Sequence, residues 1–181
     1  MKIDSQMTFE ESVKGSRAPK EVIEKLRLLD VTYFGFDEEE HFGQILVRSE
    51  VADEVEQIFK ELKELKFPIE KVIPIVSYSW DDELSMADNN SSAFNYRLIK
   101  GTDRLSKHSF GRAIDINPKI NPYIGKNGQI EPAGASYDKS AKGVITEDSS
   151  ILAVFNKYGW EWGGTWGDRG FFDYHHFEKD T

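Results

Sequence analysis

The chain has 181 residues, of which 39% are apolar, 13% aromatic and 30% charged, and it carries a formal net charge of −9. That is enough apolar material for one core in one domain. An acidic chain has no electrostatic reason to seek DNA or RNA, whose phosphates require clustered Lys and Arg, and it gives no general attraction to an anionic membrane. The absence of cysteine excludes disulfides, thiolate catalysis and Cys-based zinc sites, and no run approaches the roughly 18 apolar residues of a membrane span.

Residues 1–17 are polar and lack a clear period. They are expected to form a leader, loose or as a surface helix, ahead of one domain over 18–181. MKIDSQMTFEESVKG contains no apolar h-region, so no signal peptide is visible. After Pro19, the residues Val22, Ile23, Leu26 and Leu29 recur at helical spacing. VTYFGF and GQILVR flank the acidic DEEEHF and predict a hairpin. Val51, Val55, Ile58, Phe59, Leu62 and Leu65 form the clearest helical stripe, with Ser49 as N-cap and Pro68 as its stop.

KVIPIVS predicts a strand, SWDDELSMADNNSSA a polar loop, and FNYRLI a short strand. GRAIDIN alternates, with Gly111, Ala113, Asp115 and Asn117 on one face and Arg112, Ile114 and Ile116 on the other. Residues 118–146 predict irregular loop. A last helix is expected from Thr146, burying Ile151, Leu152, Phe155 and Tyr158 and ending before Gly159. WEWGG and DYHHFE predict short strands or turns. Mixed elements without a βαβ rhythm favour α+β.

Four histidines are present: His41, His108, His175 and His176. His108 and Asp115 share SKHSFGRAID, and Asp173 and His176 share DYHHFE. Two imidazoles and a carboxylate, His108, Asp115 and His176, are a suitable three-ligand set for one catalytic Zn2+ with a position left for water. Small Gly111 and Ala113 beside Asp115 leave room for a metal and substrate, and an inward carboxylate without a cation carries a heavy desolvation cost. Asp173, three residues before His176, is placed to act as general base without binding the metal. Arg97, on the face of FNYRLI opposite Phe94, Tyr96 and Leu98, can stabilise an oxyanion.

Each of these residues has a plainer alternative when taken alone. His108 and Asp115 fit a surface histidine and a structural carboxylate, and Arg97 fits an ordinary salt bridge. His41 reads as a solvated turn residue. His175 points away from its neighbour in an extended segment and takes a packing or supporting role. Trp160, Trp162 and Trp166 fit the core, with a rim position open to Trp166.

The two motifs resemble S-x-H-x-x-G-x-A-x-D and D-x-x-H-F of the VanY-type zinc D-alanyl-D-alanine carboxypeptidases. RLLDVTYFGFD, NNSSAFNYR, AIDINPKINPY and GWEWGG extend the likeness from about Leu26 to Glu178. The resemblance implies a small antiparallel sheet flanked by helices, with zinc on one sheet face, as in the related hedgehog zinc domain. It implies His108, Asp115 and His176 as ligands, Asp173 as base, Arg97 on the scissile carbonyl and Ser106 near the substrate. The implied activity is hydrolysis of a peptide bond in peptidoglycan stems, D-Ala-D-Ala carboxypeptidase-like, by a monomer with no nucleic-acid partner. A wall substrate implies an extracytoplasmic location, in periplasm or cell wall, after removal of a signal. Two alternatives remain at this level: a catalytically silent zinc-bearing binding module, and a metal-free hydrolase using Asp115 and Asp173 as paired carboxylates.

Overall fold

A computed structural model describes residues 1–180. Its first strand, β1 (Lys2–Ile3), is followed by two single-turn helices, α1 (Phe9–Ser12) and α2 (Lys20–Ile23). Residues 1–17 are tied down along the sheet that follows. β2 (Leu26–Phe34) and β3 (Glu40–Arg48) form the expected hairpin, antiparallel along their full length, and β1 adds to β3 in parallel. The amide of the Gln44 side chain accepts from Ser5 Oγ at 2.9 Å and from the Met7 N–H at 2.7 Å, and it donates to the Met7 carbonyl at 3.0 Å.

The helix expected through Leu29 stops at Ile23, and Leu26 and Leu29 lie in β2. Their spacing suits a helix, but they lie on opposite faces of β2. Leu26 and Leu28 pack with Leu46 and Phe94, while Leu29, Val31 and Tyr33 face the main core. From Leu29 the strand alternates, with Asp30 exposed and Thr32 half-buried between buried apolar residues.

α3 (Ala52–Glu64) lays Val55, Ile58, Phe59 and Leu62 onto that core, each fully buried or nearly so. Burial of side chains of this size stabilises the fold by about 1.5–3 kcal/mol each. Ser49 does not cap this helix. It opens a 3-10 turn, Ser49–Val51, and its hydroxyl donates to the Lys25 carbonyl. The strand expected at KVIPIVS is reduced to β4 (Lys71–Val72), followed by a 3-10 turn over Ile75–Tyr78. The presumed loop contains α4 (Asp82–Ala87), N-capped by Asp81, whose side chain accepts from the Leu84 N–H. β5 (Asn90–Ser91) pairs with β4 in parallel. FNYRLI is extended without a ladder, apart from a bridge between Leu98 and Leu105.

β6 (Ala113–Asp115) is the GRAIDIN strand. Two further strands, β7 (Tyr123–Ile124) and β8 (Ile130–Glu131), form a hairpin inside the stretch expected to be loop. α5 (Ser150–Lys157) starts four residues after Thr146, and buries Ile151, Val154 and Phe155. β9 (Glu161–Trp162), β10 (Phe172–Asp173) and β11 (His176–Glu178) complete the chain.

The elements form four small sheets, β1-β3-β2, β10-β7-β8, β6-β11-β9 and β4-β5. This mixture is consistent with α+β, but divided among several small sheets rather than one. Ile114, Ile116, Phe155, Trp160, Trp162 and Phe177 join the α3 face in the same core cluster. The rigid core therefore sits directly behind β6 and β11.

Candidate metal centre

His108 lies in a 3-10 turn, Lys107–Phe110. Ser106 caps its start by accepting from the His108 N–H at 3.3 Å, and Gly111 closes it in a left-handed conformation, φ 65°. That conformation favours glycine, and a Cβ there would meet the Arg48 nitrogen at 2.6 Å. Gly111 thus serves backbone packing onto β3, not space beside Asp115. The Asn95 N–H donates to the His108 carbonyl at 3.1 Å, which fixes the turn to the extended segment before Arg97.

β6 and β11 pair antiparallel, with His176 opposite Asp115, Phe177 opposite Ile114 and Glu178 opposite Ala113. Directly opposed residues share a sheet face. Ile114 and Phe177 enter the core, so Asp115, His176, Ala113 and Glu178 occupy the other face. Ser92 bridges β6 on its far edge through both backbone bonds to Asp115.

The result is a buried cluster. His108, Asp115 and His176 are 3%, 3% and 6% exposed. One donor atom from each lies within 4.8 Å of the others. His108 Nε2 is 3.2 Å from both Asp115 Oδ2 and His176 Nδ1, and His176 Nδ1 is 3.1 Å from Asp115 Oδ1. The outer nitrogens are occupied. His108 Nδ1 meets the Ala93 carbonyl at 2.5 Å and His176 Nε2 meets Glu178 Oε2 at 3.0 Å. Both partners are acceptors, so each outer nitrogen carries a proton and donates. The inner pair, His108 Nε2 and His176 Nδ1, faces the Asp115 carboxylate, as ligands to a common cation must. The donor set therefore fits a zinc ion: two imidazoles, one carboxylate, and outer partners that fix both rings.

Electrostatics point the same way. Burial opposes ionisation of Asp115, yet the charges of His108 and His175 hold its carboxyl well below the usual range. Burial likewise opposes protonation of His176, but its hydrogen bonds to Asp115 and Glu178 carry its pKa up to about 10. Without a metal, the protonated imidazoles of His175 and His176 balance the buried carboxylates, and a divalent cation can replace that charge.

Asp173 sits at the edge of this cluster on β10. Its Oδ1 is 2.9 Å from His175 Nε2, but outside hydrogen-bond alignment, so that buried oxygen has no hydrogen-bond partner. Gly163 packs tightly behind it, since a Cβ there would lie 2.6 Å from the Asp173 carbonyl oxygen. His175 is buried, with Nδ1 2.7 Å from the Asn121 carbonyl and Nε2 3.9 Å from Asp115 Oδ1. It stands between the two acidic side chains rather than among the converging donors.

The side chain of Arg97 is not part of the donor cluster. Its Nη2 pairs with Asp82 Oδ2 at 3.0 Å, and its Nε is buried without a partner. Its backbone is bound to the His108 turn, through the Ser106 N–H to the Arg97 carbonyl at 3.0 Å and the Arg97 N–H to Ser109 Oγ at 3.0 Å. Trp166 is buried, with its ring 5.4 Å from that of His176 and the Arg169 guanidinium 4.5 Å above its ring. His41 corrects the expectation of a solvated residue. It is buried, bound to Asp4 at 2.7 Å and Asp37 at 3.0 Å, and stacked on Tyr33. Two surface clefts of about 480 and 500 Å3 lie along β2 and contain none of the cluster residues.

Sequence reasoning missed Ala93, Glu178 and Asp82. Glu178 was accessible, being two residues after His176 on the same strand face. Ala93 contributes a carbonyl through tertiary folding, which no residue type signals.

No curated protein and no solved structure matches the chain. A family model does match, over residues 100–179. This span is shorter than the stretch from Leu26 read as resembling the family, and it leaves Arg97 outside. The segment that supplies His108, Asp115, Asp173 and His176 matches the family described as D-alanyl-D-alanine carboxypeptidase, the VanY-like group that the two motifs resemble.

Proposed function

We propose that this chain is a zinc metallopeptidase that hydrolyses a peptide bond in peptidoglycan stem peptides, with D-Ala-D-Ala carboxypeptidase-like activity. The observation that carries the proposal is the convergence of His108 Nε2, Asp115 and His176 Nδ1 within 4.8 Å, inside the span that matches the carboxypeptidase family. Such a substrate places the enzyme's work outside the cytoplasm, in the periplasm or cell wall.

When bound, zinc supplies Lewis acidity at the scissile carbonyl and brings the pKa of water toward about 7. The protein residues do the rest. His108, Asp115 and His176 hold the ion. Asp173 accepts the proton of the attacking water and returns it to the leaving amine, a role suited to a carboxylate that stands outside the converging donor set. Arg97 donates to the carbonyl oxygen as negative charge develops there, held from behind by Asp82. Ser106 lies at the edge of the substrate path, although its hydroxyl already accepts from the His108 N–H. Among the described residues no serine hydroxyl is bound to an imidazole, and the chain has no cysteine, so the reading is direct attack by water without an acyl-enzyme.

Incubation of the zinc-loaded protein with a D-Ala-terminated stem pentapeptide and with purified peptidoglycan, read by mass spectrometry, tests the proposal. Release of D-Ala that chelation abolishes is the expected result. Cleavage of a different stem bond would keep the metallopeptidase and change its specificity. Tight zinc binding without any cleavage would favour a silent zinc-bearing binding module.

A further inference from the structure

The geometry points to Glu178 as a positioning residue that selects which nitrogen of His176 faces the metal. The inference rests on the zinc reading above but concerns a residue outside the ligand and base set.

Strand geometry puts Glu178 there. His176 and Glu178 are two apart on β11 and so share a face. The residue opposite Glu178 on β6 is Ala113, as His176 stands opposite Asp115. A small side chain at Ala113 leaves the carboxylate free to turn toward the imidazole, and Glu178 Oε2 lies 3.0 Å from His176 Nε2. A carboxylate accepts hydrogen bonds and has no proton to donate. The proton on His176 is thereby kept at Nε2, and Nδ1 is turned to His108 and Asp115.

The two histidines are braced differently. His108 leans on a neutral carbonyl, Ala93, whereas His176 leans on an anion. Without Glu178 the imidazole loses the carboxylate that accepts at Nε2, and the wrong tautomer competes for the donor position. The small size of Ala113 follows from the same geometry: a bulky residue there would occupy the space Glu178 uses.

Zinc affinity, measured by competition with a chromophoric chelator, tests this without turnover. Glu178→Met keeps length and volume but has no good acceptor. It should weaken zinc binding about 10–100-fold, the usual cost of removing such a partner. Glu178→Gln retains an acceptor oxygen and should stay within a few-fold of wild type. Near-UV circular dichroism and the Tm of the metal-free proteins check that the variants are folded.

A second measurement needs no variant. Long-range 1H–15N correlation of the zinc-loaded wild type should show His176 bound through Nδ1, with a proton on Nε2. Wild-type affinity in Glu178→Met, an equal loss in Glu178→Gln, or His176 bound through Nε2 would each overturn the inference while leaving the metal centre standing. A wild-type protein that takes up no zinc would overturn both.

Discussion

His175 Nε2 lies 2.9 Å from Asp173 Oδ1 and 3.9 Å from Asp115 Oδ1, which puts one buried imidazole between the proposed base and a proposed ligand. Burial opposes both charges. The carboxylates Asp173 and Asp115 nonetheless carry the His175 pKa up to about 9, and the charge of His175 holds Asp173 below its ordinary value. His175 therefore keeps Asp173 ionised. Asp173→Asn should lower kcat by about 10²–10⁴-fold, the range for loss of a general base, with zinc content unchanged. Full activity in this variant would sink the assignment. His175→Phe should let the Asp173 pKa rise, moving the acid limb of the kcat/KM profile to higher pH.

Zinc uptake should depend steeply on pH. His176 holds a proton up to about pH 10 in the metal-free protein, and that proton must leave before its inner nitrogen can bind a cation. Affinity should fall by about tenfold for each unit of acidification, for each proton displaced. Calorimetry in buffers of different ionisation enthalpy counts those protons. His108→Ala should abolish stoichiometric zinc, and a metal analysis finding one ion per chain in that variant would refute the ligand set.

Arg97 and Asp82 give a prediction that leaves the metal untouched. Asp82 Oδ2 holds the Arg97 guanidinium at 3.0 Å, and Asp82 also accepts from the Asn95 amide at 3.2 Å. Arg97→Ala should lower kcat by about 10²–10³-fold, as for removal of an oxyanion donor, without changing zinc affinity. Asp82→Asn should cause a smaller loss in the same direction. Equal kcat in wild type and Arg97→Ala would remove Arg97 from the reaction.

The sequence made the donor residues legible because their chemistry is rare in this chain. With four histidines and no cysteine, few three-ligand sets exist, and the alternation of β6 identified the face carrying Asp115. The hairpin and α3 were readable because their periods are long and regular. What failed depended on contacts between distant segments. Leu26 and Leu29 mimic a helix because they are three residues apart, while in β2 each packs on a different face. The polarity of α4 concealed a helix that Asp81 caps locally. Gly111 reads as open space in the sequence, whereas its left-handed turn serves close packing onto β3. His41 looked like a turn residue because its partners, Asp4 and Asp37, lie on either side of it in space rather than in an obvious motif.

His41 also gives the last prediction. It secures the N-terminal segment, with Asp4 on Nδ1 and Asp37 on Nε2. Burial works against its charged form, but its hydrogen bonds to Asp4 and Asp37 prevail, and its pKa is raised above 6.5. A histidine whose folded-state pKa exceeds its unfolded value stabilises fully below the unfolded value, near 6.5, and the contribution fades as pH rises through the raised one. Asp37 works in the opposite sense. Its carboxyl is held low, first by Lys2 and then by His41, so its contribution is present above about pH 4 and disappears as acid protonates it. The strap should therefore be firmest between these limits, near pH 5–6. The Asp4 N–H, which donates to the Phe42 carbonyl, is the reporter. Its hydrogen-exchange protection factor should be greatest in that window and fall toward alkaline pH. His41→Gln should flatten the alkaline fall and destabilise the fold by about 2 kcal/mol, the scale of hydrogen bonds to charged groups. Protection that stays constant from pH 5 to pH 9 in the wild type would show that His41 does not hold the segment through its charge.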